Sequence, residues 1–342
     1  MTSAPSPRGT GWLPAIAVGF VLSAGLIAVG LRSAGTSPSI LSPSGSAPAA
    51  GDAVPASLVT LPAEATEDYG RRLIAQTAEL LGPDQADPQK RYINSRLNCG
   101  SCHLGTGTDP GTLHLFETDA HYPRFSGRAG QMTDIEDRIN ECMQRSMNGR
   151  PLPMDSVEMM AMAAYLRGLG RQWDAMPASA RKATEPPAFK LPDRRADVDA
   201  GGEVYQRRCA TCHGKDGLGL LATEDKGKGY LFPPVWGPDS FNTGAGMHRV
   251  LTAARFIKAR MPLGEATLSD DEAFDVAAYI NAQPRPTMVG QEKDYPDLTT
   301  KPVDNAYGPY ADEFPLEQHQ LGPFKPIEAH YKALKDARAK TK

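Results

Sequence analysis

Two copies of one pentapeptide constrain this chain more than anything else in it: Cys99-Gly100-Ser101-Cys102-His103 and Cys209-Ala210-Thr211-Cys212-His213. Cysteines three residues apart on a helical turn share a face. Both can then form thioethers to one porphyrin while the histidine that follows turns its imidazole to the iron. Each run predicts one covalently bound haem c, with Cys99, Cys102, Cys209 and Cys212 as attachment points and His103 and His213 as axial ligands. A zinc or redox C-x-x-C with an incidental histidine has no reason to recur as a complete pentapeptide. The chain has five cysteines, so one thiol, Cys142, is left over beside two haems.

The duplication extends beyond the motif. Each half reads as a helix, the haem motif, a long loop-rich segment and an amphipathic helix containing Ala163-Ala164-Tyr165-Leu166 or Ala277-Ala278-Tyr279-Ile280. In the second half a helix over 200–208 leads into the motif. The closing helix starts at Ser269 with Glu272 three residues on, a capping-box spacing, and Ala273, Val276, Ala277 and Ile280 form its apolar stripe. In the first half Asp155 and residues 157–166 do the same, with Gly168 and Gly170 expected to stop the helix. The pattern predicts an all-α chain of two tandem domains, each resembling a class I cytochrome c, in which the haem supplies much of a core that ~100 residues would otherwise struggle to build.

Residues 12–31 form an uncharged apolar run between Arg8 and Arg32, long enough to cross ~30 Å of hydrocarbon. A cleavable signal would have a shorter apolar region, and the first A-x-A-like site, Ala47-Pro48-Ala49, lies far downstream. Residues 1–32 are therefore expected to be an uncleaved membrane anchor, with a cleaved signal as the alternative. Either way the rest is exported to the periplasmic side. The expected order continues with a flexible Ser/Pro/Ala linker (33–57), a first haem domain (58–175), a linker (176–196), a second haem domain (197–287) and an irregular C-terminal extension (288–342) that wraps over both. His319 and His330 in that extension read as surface histidines. With 37 basic and 40 acidic residues the weakly acidic balance gives no sign of nucleic-acid binding.

For the second iron, Met261 before the last helix is the favoured second ligand and Met247 its rival. For the first iron, Met147 stands 18 residues before Tyr165, as Met261 does before Tyr279. Repeat logic therefore nominates methionine again, with Cys142 and Met154 as further candidates.

The run Asn140-Glu141-Cys142-Met143-Gln144-Arg145-Ser146-Met147-Asn148-Gly149-Arg150 resembles the dihaem thiosulfate dehydrogenases that form tetrathionate. So do Tyr230-Leu231-Phe232-Pro233-Pro234-Val235-Trp236-Gly237, Phe241-Asn242-Thr243-Gly244-Ala245-Gly246-Met247, Phe256-Ile257-Lys258-Ala259-Arg260-Met261-Pro262 and Tyr307-Gly308-Pro309-Tyr310-Ala311-Asp312. The resemblance implies His103 and Cys142 as ligands of a catalytic haem 1, His213 and Met261 as ligands of an electron-exporting haem 2, and Arg128, Arg138 and Ser146 as substrate contacts. It implies thiosulfate and tetrathionate as ligands and a small cytochrome c or high-potential redox protein as acceptor. Some family members have a lysine before this methionine that can ligate haem 2. Arg260 stands there and, always protonated, cannot.

The residues suit that chemistry. Two dianions about 4 Å apart repel by roughly 16 kcal/mol at an effective dielectric of about 20, so the site must be cationic. Arg124, Arg128, Arg138, Arg145 and Arg150 crowd around Cys142 in sequence. A helix over 135–147 would put Arg138, Cys142 and Ser146 on one face at i, i+4 and i+8; Arg145 and Arg150 read as solvated charge. Two alternatives compete: a dihaem electron carrier with His/Met ligands throughout, and the haem subunit of a multienzyme thiosulfate-oxidising complex.

Overall fold

The computed structural model describes residues 63–340. The expected anchor or signal (1–32) and linker (33–57) lie outside the described residues. Among the described residues no helix is long and apolar enough to cross a membrane.

The first half opens with helices α1 (Glu67–Ala75) and α2 (Thr77–Leu81). Thr66 caps α1 by accepting from the Tyr69 N–H at 3.1 Å, and Glu67 and Asp68 in its first turn favour the positive helix end. The haem motif follows as a single turn at Cys99–Ser101. A two-stranded antiparallel hairpin, β1 (Arg124–Ser126) and β2 (Gln131–Thr133), then leads into α3 (Ile135–Arg145) and α4 (Val157–Ala175). A one-turn helix, α5 (Ala178–Ala183), lies between the halves. The second half repeats the plan with α6 (Val198–Arg208), the motif helix α7 (Ala210–His213), a short hairpin of β3 (Leu220–Leu221) and β4 (Tyr230–Phe232), α8 (Val250–Arg260) and α9 (Asp270–Ala282). The extension adds α10 (Leu316–Leu321) and α11 (Lys325–Lys340). The all-α expectation is met apart from these two small hairpins.

In each half the first helix crosses the last at a glycine. A Cβ on Gly70 of α1 would sit 2.0 Å from the Ala161 carbonyl oxygen of α4, and one on Gly201 of α6 would sit 2.1 Å from that of Asp275 in α9. Only a residue without a side chain allows backbones so close. The same physics corrects one expectation: Gly168 and Gly170 do not end α4, which runs on to Ala175. A Cβ on Gly168 would meet a Glu67 carboxylate oxygen at 2.2 Å, so this glycine gives α1 room. The N-cap is Ser156, one residue after Asp155, its hydroxyl accepting from Met159 N–H at 3.2 Å. The Ser269/Glu272 capping box forms as its spacing predicts.

Two cores result. One gathers Leu73, Leu81, Ile139, Met143, Met159 and Leu166; the other gathers Tyr205, Leu251, Phe274 and Ile280, with Phe324, Ile327 and Tyr331 of the extension. Each such side chain fully buried is worth about 1.5–3 kcal/mol. His319 is a correction: it is fully buried, not on the surface. Its Nδ1 lies 2.8 Å from the Val303 carbonyl oxygen and its Nε2 3.1 Å from Asp312, while its ring stacks on Tyr310 at 3.7 Å. With both ring nitrogens engaged it is no spare ligand. His330 is half-buried.

Candidate functional site

Helix α3 carries the first site. Asp134 and Asp137 cap it reciprocally, at 2.9 and 3.1 Å. Ile135, Ile139 and Met143 form its buried stripe. Arg138, Cys142 and Ser146 follow at helical spacing on an adjacent face, because Ser146, the C-cap residue, keeps α-helical dihedrals.

Cys142 lies near enough to the first haem motif to act electrostatically on Cys99 and Cys102. Burial pushes the Cys99 thiol up to about 12 and the Cys102 thiol to about 11, and negative charge on Cys142 adds to both. Thiolates are disfavoured at those two positions, where neutral thioethers would be at ease. Thr77 braces this turn, accepting from Cys99 N–H at 3.0 Å and contacting Cys99 Sγ at 3.3 Å. His103 Nδ1 is 2.7 Å from the Leu113 carbonyl oxygen. A carbonyl cannot donate, so Nδ1 carries the proton and Nε2 keeps the lone pair that an iron needs. Burial lowers the pKa of His103 and so favours that neutral ring. His213 repeats the arrangement, with Nδ1 2.7 Å from the Pro233 carbonyl oxygen. The donor sets at both motifs therefore fit haem c.

Of the four candidate methionines, the two nominated for the first iron separate structurally. Met147 is 3 % exposed and belongs to the first core, whereas Met154 is 50 % exposed on the surface. Met261 caps the end of α8, its N–H donating to the Ile257 carbonyl oxygen at 2.9 Å, and packs half-buried against the second core, as Met247 does. Arg260 turns to the first domain, where its guanidinium pairs with Asp109 at 3.2 Å and donates to the Pro110 carbonyl.

The arginines divide into two groups. Arg138 is held strongly cationic, chiefly by Cys142, and donates to Glu141 at 3.1 Å. Arg128 has its pKa raised as well: burial works against the charge, but Tyr295, Glu141 and Tyr307 outweigh it. Glu141 thus acts on both guanidiniums. Arg124 is exposed and lies over the Tyr122 ring at 5.2 Å. Arg150 is exposed as expected, stacked over Tyr92 at 3.9 Å. Arg145 is the correction. It is 8 % exposed and makes a two-pronged ion pair with Asp294 at 2.7 and 2.8 Å, because the C-terminal extension passes directly beside α3. Tyr122, Glu141, Asp294 and Tyr295 complete the surroundings of this face, and sequence reasoning missed the role of all four. For Glu141, the one available signal was its i, i+3 spacing from Arg138.

The second domain carries an acid-sensitive group. Burial, reinforced by the nearby positive charge of Arg285, lowers the pKa of His248 to about 4. The unfolded chain takes up that proton near pH 6.5 and the folded one only near 4, so this histidine makes stability fall as the pH drops through that window. Denaturant titrations at pH 6.5 and 4.5 should show a smaller loss for His248→Asn than for wild type.

This fold and these two motifs define a dihaem c-type cytochrome. Residues 89–174 match the family described as SoxA/TsdA, cytochrome c domain, and residues 196–280 match that described as Cytochrome C oxidase, cbb3-type, subunit III. The chain is 40 % identical over 222 residues to the thiosulfate dehydrogenase of Allochromatium vinosum, covering 64 % of this chain and 77 % of that protein. To the thiosulfate dehydrogenase of Stutzerimonas stutzeri it is 38 % identical over 230 residues, covering 66 % and 70 %. A solved thiosulfate dehydrogenase (TsdBA) from Marichromatium purpuratum superposes with a TM-score of 0.56 at 33 % identity; the match covers 64 % of this chain and 46 % of that one, so the chain spans under half of that protein. The chain belongs to the thiosulfate dehydrogenase family, and it carries two covalently bound haem c groups.

Proposed function

We propose that this protein couples two thiosulfates into tetrathionate at haem 1 and delivers the two electrons through haem 2 to an external acceptor, a small cytochrome c or high-potential redox protein. In this reading Cys99 and Cys102 would attach haem 1, and His103 and Cys142 would hold its iron. Cys209 and Cys212 would attach haem 2, and His213 and Met261 would hold its iron. The observation that carries the reading is a cysteine that neither attachment motif uses, set on one helix face with Arg138 and close to the cysteines of the first motif. Burial of Met147 in the core and exposure of Met154 support Cys142 over either methionine.

When bound, each haem takes one electron, and a thiolate ligand sets haem 1 at a lower potential than a methionine sets haem 2. Arg128 and Arg138 offset the repulsion between the dianions, their planar forks each engaging two sulfonate oxygens, and the Ser146 hydroxyl orients the anion. The Cys142 thiolate forms an S–S bond to the outer sulfur of the first thiosulfate as two electrons leave. The second thiosulfate then attacks that outer sulfur; the bond to Cys142 breaks, the thiolate returns and tetrathionate departs. This second step moves no net electrons, so the balance is two electrons per tetrathionate. Tetrathionate reduction would use the same residues in reverse. Covalent haem attachment and the apolar run at residues 12–31 support a periplasmic location with an N-terminal membrane tether.

The test is thiosulfate-dependent reduction of ferricyanide by haem-loaded protein between about pH 4 and 8, with tetrathionate measured directly. One tetrathionate is expected for every two ferricyanides reduced. Absence of tetrathionate across that range would leave an electron carrier.

A further inference from the structure

The turn between β1 and β2 presents Arg128, and the C-terminal extension grips that turn. Tyr295 N–H donates to the Arg128 carbonyl oxygen at 2.9 Å, and Arg128 Nε donates to Tyr295 Oη at 3.3 Å. The guanidinium carbon lies 5.8 Å from the centre of the Tyr295 ring. A Cβ on Gly130, at the far side of the turn, would touch Pro296 at 3.0 Å. Tyr295 is 5 % exposed and holds a left-handed backbone, φ 62°, which a bulky residue rarely adopts and which persists only where its surroundings enforce it. Lys301, buried, lies over the rings of Tyr295, Tyr307 and Tyr310 at 5.7, 4.8 and 5.1 Å and walls in the tyrosine from behind.

One residue earlier, Asp294 binds Arg145 of α3 and accepts from the Tyr307 hydroxyl at 2.6 Å. Neighbouring residues of one loop thus clamp two separate elements: Asp294 holds the helix that carries Arg138, Cys142 and Ser146, and Tyr295 holds the turn that carries Arg128. Two adjacent residues of the extension thus tie the helix that bears Arg138 to the turn that bears Arg128.

We infer that Tyr295 is a positioning residue of the thiosulfate site, aiming the Arg128 guanidinium at the Cys142 face of α3, so that the C-terminal extension is part of the anion-binding machinery. The inference rests on the proposed function, in which Arg128 contacts the substrate.

Tyr295→Phe keeps the ring and removes the oxygen that accepts the hydrogen bond from Arg128 Nε. A bond to a charged donor is at stake, so the KM for thiosulfate should rise about tenfold. Turnover should stay within about twofold and the melting temperature should be unchanged. In an Arg128→Ala background the same substitution should have no further effect on KM, because the partner through which it acts is gone. Thiosulfate binding measured by calorimetry on holoprotein reduced with titanium(III) citrate, which cannot turn over, separates this inference from the reaction itself. Wild type that binds thiosulfate but forms no tetrathionate sinks the proposed reaction, while weaker binding by Tyr295→Phe still upholds the positioning role. A KM and binding constant equal to wild type in Tyr295→Phe, or an equal loss with and without Arg128, overturns the positioning role alone. Wild type that binds no thiosulfate overturns both.

Discussion

Cys142→Gly is expected to abolish tetrathionate formation, by roughly 10³-fold or more, while leaving both haem groups attached. Attachment depends on Cys99, Cys102, Cys209 and Cys212, which the change leaves alone. The fold should survive because Cys142 lies off the buried stripe of Ile135, Ile139 and Met143. Glycine inside α3 costs about 1 kcal/mol of helix propensity, so Cys142→Ala serves as the control that separates backbone from sulfur; both variants should lose activity alike. The potential of haem 1 should rise and its paramagnetic signature of thiolate ligation should vanish, because an anionic donor that stabilises ferric iron has gone. Near-normal turnover with an unaltered haem 1 spectrum would remove Cys142 from both roles. Met147 could then serve only by leaving the core, and Met154 only by leaving the surface.

What could be read in advance follows from how local the physics is. The haem motifs, the Ser269/Glu272 capping box and the single face shared by Arg138, Cys142 and Ser146 all depend on residues a few positions apart, and all are present in the structure. Gly168 misled because a glycine that ends a helix and one that lets another helix approach look identical in sequence; only the Glu67 carboxylate, far away in the chain, distinguishes them. His319 misled for a similar reason. A histidine in an irregular, charged segment reads as solvated until Val303, Tyr310 and Asp312 close around it. The extension has no periodicity before α10, so nothing in its pattern announces that Asp294 and Tyr295 reach the first domain. The proposed anion site is legible where one helix builds it, and hidden where a distant loop completes it.

Arg145 is where that hidden half has the largest energetic consequence. Its guanidinium and the Asp294 carboxylate are both nearly enclosed, at 9 % and 11 % side-chain exposure. Removing one partner leaves the other charge buried without compensation, which costs about 3–5 kcal/mol. The Tyr307 hydroxyl and the Lys301 ammonium remain near Asp294, so Arg145→Met should fall toward the lower end of that range. Arg145→Met/Asp294→Asn, which removes both charges, should recover part of the loss, as expected for charges coupled to each other. Denaturant or thermal unfolding of the haem-loaded proteins reads both values. A loss below about 1 kcal/mol in Arg145→Met would mean that the pair does not anchor the extension. The same ion pair holds the helix bearing Cys142, so Arg145→Met should also weaken thiosulfate binding, although Arg145 is turned to Asp294 and Gly244 rather than to Cys142. Asp294→Asn alone should do so too, because it leaves the buried Arg145 guanidinium with the Gly244 carbonyl in place of its carboxylate partner.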